Sequence, residues 1–140
     1  MSWRRPRSEA GAAVGLVTVS LLAGCSGGSQ ELDLGGREFT STEVRGHSLV
    51  DGTSVRLTFD ETAVSAQAGC NTIFGGASWG DGVLTSDGPL AMTMMGCDED
   101  LAAQDQWLSD FLASEPSIAL DGGTLVLGDD TEGITLTEVG

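Results

Sequence analysis

The sequence predicts an α+β domain that consists mainly of antiparallel β-strands and contains one helix. Its apolar residues fall in short runs separated by Asp-Gly, Gly-Gly and Pro turns, which is typical of a β-rich domain. One segment, near residues 98–113, instead repeats its apolar residues with the period of a helix. A chain of 140 residues with 40% hydrophobic content has room for one domain with one modest core.

Strands are predicted where apolar and polar residues alternate between turn signals. In chain order, the predicted strands cover 39–44, 55–59, 63–68, 83–85, 118–120, 125–127 and 134–139. The two strands around Asp121-Gly122-Gly123 form a hairpin, because glycine tolerates the positive φ that such a turn requires. Residues 76–80 are expected to form a glycine-rich loop that carries a partly exposed Trp79.

The predicted helix is amphipathic. One face carries its apolar residues, with a tryptophan at the edge: Leu101, Leu108, Phe111, Leu112 and Trp107. Acidic residues at its start suit the positive end of the helix dipole, Asp98 is a suitable N-cap, and Pro116 ends it. We expect this helix to pack across the sheet and to be held at its start by Cys97.

Residues 1–24 have the layout of a secretory signal peptide, with three arginines before an apolar stretch. That stretch covers only 10–23, whereas a transmembrane helix takes ~20 residues. It ends in Leu22-Ala23-Gly24-Cys25, which resembles the bacterial lipobox. Cys25 is therefore predicted to be acylated and to anchor the mature protein in a membrane. Residues 25–34 are then a flexible tether, and the alternative is ordinary cleavage with an unmodified Cys25.

Export leaves two cysteines, Cys70 and Cys97, in an oxidising compartment, where such a pair predicts one disulfide. Closing the loop between them is worth about 3.5 kcal/mol in the chain-entropy account. Metal binding is a rival interpretation, but two thiols without nearby histidines cannot complete a tetrahedral zinc site. Free or transiently paired thiols are the other alternative.

The charge restricts the partners of this chain. A formal charge of −15, from 21 acidic residues against 6 basic ones, repels phosphate and excludes an ordinary nucleic-acid binder. Removal of Arg4, Arg5 and Arg7 with the leader makes the mature chain more acidic still. Besides the membrane reached through the lipid, the expected partner is an envelope protein with a basic patch. We expect the chain itself to be a monomer.

Several sequence elements occur in a characteristic order. They are Gln67-Ala68-Gly69-Cys70-Asn71, Phe74-Gly75-Gly76, Met92-Thr93-Met94-Met95-Gly96-Cys97, the helix, and Gly123-Thr124-Leu125-Val126-Leu127. In order and spacing they resemble the META domain (HslJ-like) family, and we assign residues 35–140 to such a domain. Phe39 stands where many members have Trp, and Trp79 near where a Tyr often follows the glycines, so both positions keep an aromatic residue.

The resemblance implies a compact α+β domain with a mainly antiparallel sheet and one helix, often found in envelope lipoproteins. We expect the sheet to be curled or partly barrel-like. The resemblance implies no shared catalytic activity, because members are linked only loosely to stress tolerance, motility or secretion.

The segment Gly76-Ala77-Ser78-Trp79-Gly80 fits the G-x-S-x-G pattern of a nucleophile elbow. An elbow needs a preceding strand, a following helix and a base, and the only histidine, His47, precedes Ser78, opposite to the hydrolase order. We expect no catalysis here and interpret His47 as a surface residue in a turn. Asn71 is expected to hydrogen-bond the backbone of a tight bend rather than a ligand.

Two further groups offer ligand chemistry. Acidic residues cluster at 98–100 and 129–132 without EF-hand spacing, so helix capping and a solvated turn are favoured over weak calcium binding. Met92, Met94 and Met95 could ligate copper through their thioethers, but we expect them to fill gaps in the sheet core. We assign no catalytic, cofactor-binding or metal-binding residue.

The sequence thus predicts a non-catalytic protein, lipid-anchored at the extracytoplasmic face of the cell membrane, that serves as a binding or envelope stress or maintenance module with an acidic surface. The alternative is a carrier of a small apolar ligand in a β-barrel-like pocket, which a filled interior would count against. An enzyme would need carboxylates with opposed pKa shifts in one cleft.

Overall fold

The computed structural model describes residues 32–140 together with Gly11 and Gly15. Apart from these two glycines, the predicted signal peptide, the predicted lipidation site Cys25 and most of the predicted tether therefore lie outside the described residues. The described elements are β1 Glu38–Arg45, β2 Arg56–Phe59, β3 Ala63–Gln67, β4 Thr72–Ser78, β5 Thr85–Ser86, β6 Ala91–Met92, α1 Glu99–Ala113, β7 Ile118–Asp121, β8 Thr124–Gly128 and β9 Gly133–Glu138. This order confirms the α+β class with a helix at the predicted place. Within these residues, no helix has the length and apolar character that crossing a bilayer takes.

The strands form one curled antiparallel sheet. Its order is β5-β4-β3-β2-β1-β9-β8-β7, and β6 pairs with β4. The first and last strands lie side by side in the middle of this sheet, from Phe39 opposite Glu138 to Arg45 opposite Gly133. The two ends of the sheet meet where Val83, just before β5, forms an antiparallel bridge with Ser117, just before β7. The sheet is thus curled and partly barrel-like, as predicted.

Apolar side chains fill the interior of the curl. Alternate residues of the strands point inward, which gives β2 its pattern of exposed Arg56, buried Leu57, exposed Thr58 and buried Phe59. The rings of Phe39 and Phe59 contact edge to face with centroids 5.9 Å apart. Helix α1 covers this interior with Leu108, Phe111 and Leu112. The buried set also includes Leu34, Val55, Ile73, Leu84, Leu125, Leu127, Ile134 and Leu136.

Strand β4 is the main departure from the prediction, because residues 76–80 were expected to be a loop. The strand pairs along its length with β3 and at its ends with β5 and β6. Its glycines make room for neighbours: a Cβ on Gly75 would stand 3.0 Å from Leu90 Cδ2, and one on Gly76 would stand 3.2 Å from Asp87 Cβ. Trp79, expected to be partly exposed, is buried with 8% exposure. The loop prediction was wrong because the glycines concealed the alternation of inward Ile73 and Ala77.

Smaller predictions also need correction. Met94 and Met95, expected in the core, are 92% and 64% exposed, and only Met92 packs against the core. They lie in the connection between β6 and α1, outside the sheet that would have buried them. Asp98 occupies the N-cap position, but its side chain makes no capping hydrogen bond. The predicted strand over 83–85 is reduced to the bridge at Val83 and the two-residue β5.

Candidate functional site

A surface cleft of about 610 Å³ lies where the chain enters the domain. Residues 32–35 form one wall, the turn between β2 and β3 contributes Glu61 and Thr62, and the end of β4 contributes Ala77 to Gly80. Asp87, which follows β5, closes the far side. Four separate segments therefore build this cleft.

Trp79 fixes the entering chain to the end of β4. Its indole Nε1 donates a hydrogen bond to the carbonyl oxygen of Leu32 at 3.0 Å, and its ring contacts Phe59 edge to face at 5.2 Å. Leu34 is completely buried, and the amide of Gly36 donates to the Phe59 carbonyl at 2.8 Å. Residues 32–34, which were predicted to belong to the tether, are thus packed onto the domain.

Three carboxylates line the cleft, on Asp33, Glu61 and Asp87. The Oε1 atom of Glu61 lies 2.7 Å from the position that a Cβ on Gly35 would take. The Oδ2 atom of Asp87 lies 3.2 Å from the corresponding position on Gly76. Any larger residue at either glycine would displace the carboxylate, so the two glycines let the acids lie directly against the main chain.

The arginines of residues 32–140 are already engaged with glutamates. Arg56 Nε lies 3.3 Å from Glu38, Arg45 Nη1 lies 3.8 Å from Glu43, and Arg37 pairs with Glu138. Arg37 also donates to the backbone carbonyl of Asp33 at the cleft rim, at 2.8 Å. The mutual hydrogen bond lowers the pKa of Glu138 and raises that of Arg37. The cleft therefore carries a net negative charge, with its nearest arginine shared with Glu138.

A second constellation, here called the cysteine cluster, consists of Cys70, Asn71, Cys97 and Asp105. The sulfurs of Cys70 and Cys97 are joined in a disulfide with Cα atoms 6.2 Å apart, the pairing that the cysteine count predicts. The side-chain Oδ1 of Asn71 accepts from Thr93 Oγ1 at 3.0 Å and from the Met95 amide at 2.8 Å. Asn71 thus binds the connection before α1 to the start of β4, the structural role predicted for it.

Two buried polar residues of α1, Gln104 and Asp105, were missed by sequence reasoning. The Oε1 of Gln104 accepts from the Val50 amide at 2.7 Å, and its Nε2 donates to the Ala68 carbonyl at 2.6 Å. The Oδ2 of Asp105 accepts a hydrogen bond from the backbone N–H of Asn71 at 2.8 Å. A signal was present, because Asp105 lies four residues after Leu101 and three before Leu108, on the apolar stripe of the helix.

The other candidate residues of the sequence lie on different elements of the fold. Ser78 ends β4 and is followed by a turn and β5 rather than a helix, so it is not a nucleophile elbow. His47, expected at the surface, is half-buried and stacks on Trp107 of α1 with ring centroids 4.2 Å apart. Asp129 Oδ1 accepts from the amides of Thr131 and Glu132, which lowers the pKa of Asp129. That acidic cluster is an exposed turn, as predicted, and the hydrogen bonds to Asp129 hold it.

The fold and these sites define the class of the protein. A curled antiparallel sheet carries one helix, and a Gly-Cys-Asn element is disulfide-bonded to the cysteine before that helix. The chain belongs to the META domain family, whose model matches residues 31–139.

Two solved structures are similar to the chain. One, determined by NMR, is 27% identical, with a TM-score of 0.60, and the match covers 74% of this chain and 90% of that one. The other is the NMR structure of a protein from Burkholderia xenovorans, 17% identical, with a TM-score of 0.59 and 99% coverage of both chains. The second likeness concerns the fold alone. None of the curated proteins matches the chain.

Proposed function

We propose that the chain is a non-catalytic, lipid-anchored binding module at the extracytoplasmic face of the membrane, and that its acidic cleft receives a basic segment of an envelope protein. The main support for this proposal is the cleft of about 610 Å³ beside residues 32–35, which is lined by Asp33, Glu61 and Asp87.

The walls of the cleft suit a lysine or arginine side chain. Such side chains pack their methylene stems on apolar surface while the charged end stays at a polar edge. Half-buried Leu32 and the small exposed part of Trp79 supply apolar surface, and the three carboxylates supply the counter-charge. The acidic excess of the whole chain would steer cationic partners toward it and raise their rate of association.

The proposed lipid anchor on Cys25 limits how far the cleft can lie from the membrane surface. If Cys25 carries the lipid, the chain up to Leu32 reaches at most ~25 Å even when fully extended. A cleft built partly from Leu32 and Asp33 would then lie close to the membrane surface. The partner would therefore be a membrane protein or a membrane-associated one.

The alternative of an apolar-ligand carrier receives less support. The side chains that face the inside of the curled sheet are fully buried and contact one another, as the Phe39 and Phe59 rings do. An interior occupied by the protein's own clustered side chains offers a carrier little room for a ligand.

The cleft is tested by titrating the protein with a short lysine- and arginine-rich peptide while recording amide NMR shifts. We expect shifts concentrated at residues 32–35 and 77–80, reduced by added salt. The double variant Glu61→Gln/Asp87→Asn should bind about tenfold more weakly, because each exposed charge contributes roughly 0.7 kcal/mol. The matched control, Glu115→Gln/Asp130→Asn, removes two exposed acids elsewhere. Equal weakening in both double variants would mean that the peptide senses only net charge.

The anchor is tested separately by mass spectrometry of the protein from a membrane fraction. The expected product begins at an acylated Cys25, and Cys25→Ser should move the protein to the soluble fraction. An unprocessed chain that begins at Met1 would contradict the anchor without affecting the cleft.

A further inference from the structure

The cysteine cluster contains a carboxylate oxygen that the disulfide does not use. Asp105 is completely buried. Its Oδ2 accepts a hydrogen bond from Asn71, whereas its Oδ1 is buried without a hydrogen-bond partner. A carboxylate oxygen of Asp105 and the sulfurs of Cys70 and Cys97 all lie within 4.8 Å of one another.

A buried carboxylate usually has a cation beside it, either a basic side chain or a metal ion. The arginines of residues 32–140 pair with Glu138, Glu43 and Glu38. The two cysteine sulfurs, by contrast, have metal-ligand chemistry and lie within 4.8 Å of a carboxylate oxygen of Asp105. The surroundings of Asp105 therefore resemble part of a metal-binding site more than part of a salt bridge.

We propose that reduction of the disulfide opens a site for a thiophilic divalent ion of the zinc class. The ligands are Sγ of Cys70, Sγ of Cys97 and a carboxylate oxygen of Asp105. A dithiol reductant supplies the two electrons and two protons that convert the disulfide into two thiols, and is itself oxidised to a disulfide. Binding of the ion then releases both thiol protons, and a water molecule completes the tetrahedron.

The elements that hold the three ligands favour this site. Cys70 precedes β4, Cys97 precedes α1, and Asp105 lies within α1, so each ligand is fixed by regular structure or by its neighbour. Asn71 contacts two of the ligands. Its backbone N–H donates to Asp105 Oδ2 at 2.8 Å, and its side-chain Nδ2 lies 3.4 Å from Cys97 Sγ. Such outer hydrogen bonds orient metal ligands. Cys70 and Cys97 are both half-buried, so a reductant and an ion can approach them from solvent.

Asp105 also supplies the zinc ligand that the sequence alone does not provide. Two cysteines alone cannot hold zinc. The third ligand comes from a helix position that the fold brings to the disulfide. In the oxidised protein the S–S bond withholds both thiolates, so the redox state of the cysteines would gate metal binding. This inference does not depend on the acidic cleft or on the partner proposed for it.

The test uses the full-length protein in detergent, oxidised or reduced, with cobalt(II) as a spectroscopic substitute for zinc. Reduced protein, freed from reductant under anaerobic conditions, should bind one cobalt ion. Thiolate-to-cobalt charge-transfer absorption and the strong visible bands of tetrahedral cobalt should then appear, and zinc should abolish both. Oxidised protein should show neither signal. Circular dichroism of each sample follows the fold.

Asp105→Asn is the deciding variant, because it keeps the shape of the side chain and removes the charged ligand. We expect its dissociation constant for cobalt to rise at least tenfold, since changes outside the first ligand sphere alone weaken metal sites about 10–100-fold. Asp110→Asn, on the exposed side of α1, is the matched control and should bind as the unchanged protein does.

The proposal is overturned if reduced protein gives no thiolate-to-cobalt absorption, or if Asp105→Asn binds cobalt as tightly as the unchanged protein. If that variant does not fold, X-ray absorption of the zinc-loaded, unchanged protein decides the question. Two sulfur and two oxygen or nitrogen ligands support the site. Four sulfur ligands, as in an ion bridging two chains, refute it.

Discussion

Two regions of the sheet are held together by different chemistry. The hairpin half, β1, β9, β8 and β7, depends on apolar pairs in register, such as Leu125 opposite Leu136 and Leu127 opposite Ile134, all completely buried. The helix half, β2 to β6 with α1, adds buried polar groups and a covalent bond. Gln104, Asp105 and Asn71 are its buried polar residues, and the disulfide lies beside them.

This difference concerns specificity as well as stability. Apolar surfaces tolerate other apolar side chains of similar volume, so the hairpin half accepts conservative changes in its core. Each buried polar group of the helix half needs its own partner, as Gln104 needs Val50 and Ala68. Helix α1 therefore has one favourable position on the sheet. Both the cysteine cluster and three of the four segments that build the acidic cleft belong to this more constrained half.

The largest expected effect comes from breaking the covalent bond of the helix half. The double variant Cys70→Ala/Cys97→Ala should lose about 3.5 kcal/mol of unfolding free energy, because the unfolded chain regains the entropy of an open loop. Urea unfolding at pH 7 measures the loss, and reduction of the unchanged protein should reproduce it. The double variant itself should not respond to reductant. A loss under about 1 kcal/mol, the contribution of a single hydrogen bond, would mean that non-covalent contacts rather than the disulfide hold the helix half.

A smaller effect is expected from Gln104→Ala. The substitution leaves the Val50 amide and the Ala68 carbonyl without their partner, which should cost about 2 kcal/mol. Gln106→Ala is the matched control, because Gln106 is exposed on the same helix and its change should stay within about 0.5 kcal/mol. Equal losses in the two variants would show that the buried amide does not position α1.

The same comparison explains how far the sequence predicts the fold. The strands observed as Ile118–Asp121, Thr124–Gly128 and Gly133–Glu138 agree closely with those predicted, because their apolar residues alternate and turn residues bound them. In the helix half, β4 was missed because glycines interrupt its alternation. Only the folded structure explains these glycines, because Leu90 and Asp87 occupy the space that side chains at Gly75 and Gly76 would need.

The candidate sites were harder to predict than the elements. Asp33, Glu61 and Asp87 are ordinary surface acids in the sequence, and only the curl of the sheet places them around one cleft. The Cys70–Cys97 pair could be predicted because only two cysteines remain after the predicted signal peptide and Cys25 are set aside. Asp105, in contrast, does not stand out among the other acidic residues of α1. A charged residue on the apolar stripe of a helix is the pattern that would have identified it.

The smallest effect concerns an ion pair in the hairpin half. Arg37 donates to Glu138, the last residue of β9, and to the Gly122 carbonyl in the β7–β8 turn at 3.1 Å, so it joins the end of β9 to that turn. The hydrogen bond from Arg37 lowers the pKa of Glu138 in the folded protein. A lowered folded pKa means that the pair stabilises the fold above the unfolded pKa of about 4.3, and that this contribution is lost as the pH falls through the folded pKa.

Glu138→Gln should therefore be less stable than the unchanged protein at pH 7, and the difference should shrink as urea unfolding is repeated at pH values down to about 3. Glu115→Gln controls for the general effect of removing one acid from a strongly negative chain. The stability difference produced by Gln104→Ala should stay constant over the same range, because an amide does not titrate. A pH-independent difference for Glu138→Gln would mean that its carboxylate and Arg37 contribute no charge interaction to the hairpin half.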